Sequence, residues 1–152
     1  MKLLRIISHS KEQSQKIASV FARGLFLHSA SSKKAIVIGL KGELGSGKTT
    51  FVKGFARGLG IKKIIQSPTF VIAKNYSLRI THYALLIHVD AHRLKSGKDL
   101  VYLGWDEWIK DPKNIILVEW AERVKKILPK HRFEIHFKHL VGNKRKITFH
   151  IF

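Results

Sequence analysis

One eight-residue segment of the chain has the residue types and spacing of a phosphate-binding loop. It reads Gly42-Glu43-Leu44-Gly45-Ser46-Gly47-Lys48-Thr49 and satisfies the pattern G-x-x-x-x-G-K-[ST] in full. The glycines let the backbone curl so that successive N–H groups point at an anion, and a helix beginning near Lys48 adds its positive dipole end. Lys48 would reach the β- and γ-phosphates, the Thr49 hydroxyl would ligate Mg²⁺, and Thr50 could contact the α-phosphate. Residues 43–50 are therefore predicted to bind a nucleoside triphosphate.

Two carboxylates follow apolar runs further along the chain. Asp90 closes the run at residues 85–89, and Glu119 closes the run at residues 115–118. In open α/β sheets the ligand site lies beyond the carboxyl ends of the strands. Both side chains would therefore converge on the phosphates if their strands run parallel to the strand before the loop. A helix N-cap or a surface ion pair is the alternative for each carboxylate.

The elements that must position these residues can be read from the hydrophobic pattern. The apolar run at 35–40 predicts a strand buried on both faces, and residues 48–59 predict a helix that stops at Gly60. Before them, the spacing of Ser10 and Gln13 is that of a capping box. The helix that this box opens should end near His28, and its apolar stripe comprises Ile17, Val20, Phe21, Leu25 and Phe26.

The second half of the chain predicts mostly strands. Residues 70–76 and 83–89 should pair as a hairpin, 94–110 should hold two short helices, and 121–128 should be helical. Alternating residues on either side of Gly142-Asn143 predict a terminal antiparallel hairpin with a two-residue turn. The order of elements predicts an α/β fold, a three-layer P-loop NTPase-like domain with a mixed β-sheet. Residues 1–152 are predicted to form this one domain.

Composition restricts the possible classes of function. The chain has 152 residues and no cysteine, which excludes disulfide scaffolds, thiol catalysis and cysteine-ligated metals. Its apolar runs are far shorter than the roughly 20 residues of a membrane span, and its N-terminal segment lacks the apolar core of a signal peptide. We therefore expect no membrane association and a cytoplasmic location. The net charge of +19 fits contact with RNA, docking on an acidic partner, or merely a solvated basic surface.

Four motifs together resemble one protein family. They are the loop through Thr50, then Ser67-Pro68-Thr69-Phe70, then His88-Val89-Asp90-Ala91-His92-Arg93-Leu94, then Val118-Glu119-Trp120. Their order and spacing resemble TsaE, the bacterial ATPase needed for threonylcarbamoyladenosine (t6A) modification of tRNA. The resemblance extends from residue 7 to the terminal hairpin.

The resemblance implies a small P-loop ATPase that uses ATP/ADP and Mg²⁺ and binds the TsaB–TsaD heterodimer. Hydrolysis, weak alone and stimulated by the partners, would support turnover while TsaD transfers the threonylcarbamoyl group to tRNA. Asp90 corresponds to the family aspartate associated with Mg²⁺, and Glu119 to the glutamate required for hydrolysis, which we also count among the metal ligands. Thr69 falls in a segment that acts as a nucleotide-sensing switch, so Lys48, Thr69 and Glu119 form the expected catalytic set. Trp120 would lie beside the nucleotide.

One residue departs from the family pattern, since His92 stands where the family has tyrosine. The spacing His88-x-Asp90-x-His92 could also suggest a transition-metal site, although no fourth ligand is evident. A small-molecule or nucleoside kinase remains an alternative, but it should carry an arginine-bearing lid where this chain predicts a hairpin. The other alternative is a nucleotide-gated RNA-binding module, with Phe133 and Phe137 either stacking on bases or facing the core.

Overall fold

The computed structural model describes residues 1–28, 32–68, 70–79 and 82–151, with backbone alone at 26–28. The first half contains β1 (Lys2–Ser8), α1 (Lys11–His28), β2 (Ile36–Lys41), α2 (Lys48–Gly58) and β3 (Ala73–Ser77). The second half contains β4 (Leu85–Asp90), α3 (Lys98–Leu103), α4 (Trp105–Lys110), β5 (Asn114–Glu119), a 3₁₀ helix (Ala121–Val124), β6 (Phe133–His139) and β7 (Arg145–Ile151). No helix within these ranges is both long enough and apolar enough to cross a membrane.

The seven strands form one mixed sheet in the order β1-β7-β6-β2-β5-β4-β3. Strands β6, β2, β5 and β4 are mutually parallel, while β7 pairs antiparallel with β6 and β1, and β3 pairs antiparallel with β4. The central strands β2, β4 and β5 are almost entirely buried, as their continuous apolar runs predict. The prediction of an α/β fold with a mixed sheet and a terminal antiparallel hairpin is confirmed. Strands β2, β4 and β5 run parallel, which is the condition under which Asp90 and Glu119 were expected to converge.

Helices cover the sheet on both faces and complete three layers. On one face α1 and α2 pack over an aromatic core in which Phe21 contacts Phe51 and Phe55, with ring centroids 6.3 and 6.0 Å apart. The two helices can lie close because residue 54 is glycine, since a Cβ there would come within 2.3 Å of the Gln15 carbonyl oxygen. The opposite face carries a second core under α3, α4 and the 3₁₀ helix.

The two aromatic residues of β6 belong to the core. Phe137 is buried, and its ring packs edge-on against Phe51 with centroids 5.4 Å apart. Phe133 packs against Phe21 at 5.5 Å. The alternation along β6 therefore marks a core face, and these rings do not form a base-stacking surface.

Several local predictions are wrong. Strand β1 was not predicted because most of its residues are exposed on both faces, so no alternation marks it. The terminal turn has three residues, 141–143, since Leu140 N donates to Lys144 O at 2.9 Å and the strand register centres on Gly142. The predicted helix at 121–128 is only a 3₁₀ turn, which buries Ala121 and Val124 at a spacing of three. Val20 in the α1 stripe is 62% exposed.

Candidate functional site

The glycine-rich loop connects buried β2 to α2 in the predicted strand–loop–helix arrangement. Its glycines Gly42, Gly45 and Gly47 all have positive φ, at 153°, 75° and 106°. At Gly42 there is also no room for a side chain, since a Cβ would lie 2.6 Å from Ser46 Oγ and 2.7 Å from the Phe137 carbonyl oxygen. The loop's backbone shape therefore depends on glycine both for its dihedral angles and for close approach to β6.

Lys48, the first residue of α2, is buried and lies across its own loop. Its Nζ donates hydrogen bonds to the carbonyl oxygens of Gly42 and Glu43, and it lies 4.1 Å from the centroid of the Trp120 ring. Burial lowers the pKa of Lys48, and the nearby charges of Glu119, Glu122 and Asp90 oppose that shift. The ammonium is thus held in a partly desolvated position by neutral acceptors and an aromatic face.

Glu119 is the meeting point of three elements. Its carboxylate is 3% exposed at the end of β5 and accepts hydrogen bonds from Thr49 Oγ1 at 3.0 and 3.2 Å. His88 Nε2, on β4, lies 2.8 Å from Glu119 Oε1. Because a carboxylate only accepts, His88 carries its proton on Nε2, and the buried Nδ1 has no hydrogen-bond partner among the described residues. Sequence reasoning did not pair His88 with Glu119.

Asp90 ends β4 directly beside Glu119 in the strand register. Its Oδ1 accepts from the His92 backbone N–H at 2.9 Å, and its Oδ2 accepts from Ser67 Oγ at 3.2 Å. The His92 ring stacks on Trp120 with centroids 4.6 Å apart and an interplanar angle of 29°. His92 therefore supports the Trp120 ring, and no cluster of three metal-ligating side chains is found within the described ranges.

A cavity of about 520 Å³ opens at the carboxyl ends of β2, β4 and β5. Most of the predicted site residues line it together: Leu44, Gly45, Gly47, Lys48, Thr49, Thr50, Asp90, Glu119 and Trp120. Glu43 is exposed and contributes its backbone carbonyl to Lys48, while the Ser46 side chain is buried. Thr69 lies outside the described residues.

The same cavity is lined by basic residues to which the sequence analysis assigned no role in the site. They include Lys11 at the start of α1, Arg93 after β4 and Arg145 at the start of β7. Arg145 belongs to the triplet Lys144-Arg145-Lys146, which the sequence shows only as local charge. Its place beside the loop follows from the parallel pairing of β6 with β2, which brings the terminal hairpin next to the loop and which no short-range pattern reveals.

The fold and the loop define an α/β protein with a phosphate-binding loop between β2 and α2. A model of the family "Threonylcarbamoyl adenosine biosynthesis protein TsaE" matches residues 8–147. The tRNA threonylcarbamoyladenosine biosynthesis protein TsaE of Bacillus subtilis is 38% identical over 149 residues, covering 98% of this chain and 86% of that protein. The TsaE protein of Treponema pallidum is 35% identical, with 95% and 98% covered.

A solved structure agrees with these sequence matches. The crystal structure of Bacillus subtilis YdiB superposes with a TM-score of 0.75 at 35% identity, covering 97% of this chain and 84% of that one. The chain belongs to the TsaE family of threonylcarbamoyladenosine biosynthesis proteins. The family resemblance drawn from the four motifs is therefore confirmed, and with it a role in the t6A pathway.

Proposed function

We propose that this chain binds and hydrolyses ATP with Mg²⁺ as the ATPase component of cytoplasmic t6A biosynthesis, acting with the TsaB–TsaD complex. The observation that supports this most directly is the convergence of Lys48, Thr49 and Glu119 on one cavity. These residues come from the start of α2 and the end of β5, and Thr49 already contacts Glu119. A structural strand-to-helix turn would not require a buried lysine beside a buried carboxylate.

The residues of the loop suit a triphosphate. Positive-φ glycines shape the loop backbone, and the N-terminus of the 11-residue helix α2 adds its positive end to the same point. Lys48 is held by loop carbonyls, and phosphate oxygens are stronger acceptors for its ammonium. Lys48 and the loop amides would hold the phosphates, and the Trp120 face would lie beside the nucleotide.

The oxygen atoms near the loop suit Mg²⁺, which prefers hydroxyl, carboxylate and water ligands. Thr49 Oγ1 and the carboxylates of Asp90 and Glu119 would hold it. The bound ion would neutralise charge on the phosphates. Ser67, which precedes the predicted switch residue Thr69, bonds to Asp90, so a change at the metal aspartate would reach the segment at residues 67–70.

Glu119 is the residue best placed to act on water. It accepts two donors, Thr49 and His88, and retains acceptor capacity toward the cavity because a carboxylate can accept about four hydrogen bonds. Glu119 would orient the attacking water and take up its proton. The hydrogen bond from His88 Nε2 would hold the carboxylate in this position.

Hydrolysis of Mg-ATP, measured alone and with added TsaB–TsaD, tests the proposal. Wild type should turn over slowly alone and faster with the heterodimer, and K48A and E119Q should abolish the stimulated rate. K53A is the matched control, because Lys53 lies exposed further along α2 and should behave as wild type. Wild-type turnover by E119Q would refute its role, and absence of binding to TsaB–TsaD would refute the partner assignment.

The kinase alternative is not supported by the end of the chain. Residues 133–151 form β6 and β7 within the sheet, in the place where a kinase would need a mobile arginine-bearing lid. A screen in which ATP consumption rises with small-molecule acceptors and not with TsaB–TsaD would nevertheless favour it.

A further inference from the structure

The second core contains residues of β2, β4 and β5 but none of β6, β7 or β1, so on this face the sheet extends beyond the helices at β6, β7 and β1. Because Ile135 and Phe137 point into the α1–α2 core, the alternating residues of β6 point to the opposite side. We call this side the open face and define it by Arg5, Lys41, His136, Lys138, Lys146 and His150. Its surface is accessible, since the side chain of His136 is 43% exposed and the flanking residues Leu3 and Ile7 are 44% and 40% exposed.

The open face carries a surplus of positive charge. Glu134 lies on the same side of β6 as His136, and its carboxylate is already bonded to Lys41 at 2.8 Å, to Arg132, and to His136 at 3.2 Å. Burial opposes ionisation, but these hydrogen bonds lower the pKa of Glu134 to about 2. Arg5, Lys138 and Lys146 have no salt-bridge partner within the part of the chain that the structure describes.

The strand register arranges the cations in a regular grid. Arg5, Thr148, His136 and Lys41 form one row across four adjacent strands. In the next row Lys138 lies directly opposite Lys146, a like-charge cross-strand pair that destabilises a sheet unless an anion covers it. At about 4.8 Å between strands and about 6.8 Å between alternate residues, the two rows span roughly 14 Å across the strands and roughly 7 Å along them.

We propose that the open face binds the phosphate backbone of RNA. Arg5, Lys138 and Lys146, close to a carboxylate that is already neutralised by its own partners, complement a polyanion, which can place several phosphates on this face at once. The like-charge pair of Lys138 and Lys146 is then a binding element, since bound phosphates relieve the repulsion that the folded chain otherwise carries.

Binding of bulk tRNA, measured by fluorescence anisotropy across a salt series, tests this proposal. The triple variant R5Q/K138Q/K146Q should reduce the salt slope of log K by about 2 to 3 and weaken binding at least tenfold near 0.15 M salt. The control K62Q/K63Q/K125Q removes the same charge from exposed positions outside the open face and should lose less than threefold.

Both triple variants should keep the wild-type circular dichroism spectrum. Equal losses in the two variants would overturn the proposal, because binding would then follow net charge alone. So would failure of wild type to bind tRNA at low salt. If the open-face variant instead lost only its association with TsaB–TsaD, the face would be a protein interface and the RNA assignment would be wrong.

A second, independent observation concerns Arg145. From the start of β7 its guanidinium reaches the phosphate-binding loop, where Nη2 donates to the Gly45 carbonyl oxygen at 3.3 Å. Its Cγ lies 3.9 Å from where a Cβ on Gly47 would stand. The side chain thus passes over the loop and lines the same cavity as Lys48.

We infer that Arg145 is a second phosphate-binding cation of the site, an inference that rests on the proposed nucleotide binding. Lys48 and Arg145 are both bonded to neutral loop carbonyls, although a guanidinium fits phosphate oxygens better because it can donate two parallel bonds. Arg145 is held from the other side by the Lys144 carbonyl at 3.1 Å, so its approach over the loop is fixed by the terminal hairpin.

Equilibrium binding of the fluorescent analogue mant-ATP tests this inference without reference to turnover. R145Q should weaken binding about tenfold or more, R145K should restore part of the loss, and the adjacent exposed control K144Q should stay within twofold of wild type. If wild type binds and K48A does not, but R145Q binds like wild type, this inference alone fails. If wild type does not bind, both the proposed function and this inference fail.

Discussion

The buried pair of His88 and Glu119 should be strongly coupled in the stability of the fold. His88 is fully buried and Glu119 is 3% exposed, with their side chains 2.8 Å apart. Replacing His88 with leucine leaves a buried carboxylate with only the Thr49 hydroxyl as a donor among the described residues. Removing one partner of such a buried pair costs about 3–5 kcal/mol. For a chain of this size that lowers Tm by roughly 10 °C.

The reverse replacement should be milder. E119L removes the charge and leaves an imidazole without its acceptor, which costs about 1–3 kcal/mol. In the double variant H88L/E119L two apolar side chains replace the pair, so it should be more stable than H88L alone by at least about 1 kcal/mol. H88Q, which keeps an N–H donor on a flexible side chain, should recover part of the loss.

Urea unfolding of wild type and the four variants near neutral pH, fitted with one common slope m of free energy against urea concentration, gives the required free energies of unfolding. The account predicts that H88L is the least stable and that the second substitution rescues it. Additive losses, within about 0.5 kcal/mol, would show that the two side chains do not interact and would refute the reasoning.

Three further predictions concern other parts of the fold. Since the pKa of Glu134 is lowered to about 2 from 4.5, the carboxylate stabilises the fold above pH 4.5 and loses this contribution as the pH falls toward 2. Because its partners are partly solvent-exposed, E134Q should lower the free energy of unfolding by about 1–2 kcal/mol near neutral pH. Below pH 2 the free energies of unfolding of E134Q and wild type should converge, as measured by urea unfolding at a series of pH values. G42A should lower Tm much more than G45A does, because a Cβ at Gly42 would clash with the Phe137 carbonyl whereas one at Gly45 would meet no atom within 4 Å. Calorimetry of the two variants measures this difference. S10A removes the hydroxyl that accepts from the Gln13 N–H at 3.0 Å, so it should lower the free energy of unfolding in urea by about 1 kcal/mol. A free energy of unfolding equal to that of wild type would contradict the role of Ser10 as the N-cap.

Much of the arrangement around the loop could be predicted from local sequence. The buried run of β2, the glycines and the helix after Lys48 form one continuous signal, and Asp90 and Glu119 each end an apolar run. Such signals are reliable because burial on both faces leaves a continuous apolar stretch that no other element nearby resembles. The sequence left only the direction of the strands open, and their parallel pairing brings the two carboxylates together.

The remaining features depend on contacts between distant parts of the chain. His88 meets Glu119 across 31 residues, and Arg145 meets Gly45 across 100. Strand β1 has an edge position and exposed residues on both faces, so no alternation of apolar and polar residues marks it in the sequence. The three-residue turn around Gly142 was misassigned because Gly-Asn suits a two-residue turn locally, whereas the register of β6 and β7 decides the count.

The central claim is that the cavity over the loop binds a magnesium nucleotide through Lys48. Isothermal titration of Mg-ATP into the wild-type chain, K48A and the exposed control K53A tests it most directly. The account predicts saturable binding by wild type and K53A, and a loss of about tenfold to 100-fold in K48A. Equal affinity of K48A and wild type, or no binding by wild type, would contradict it.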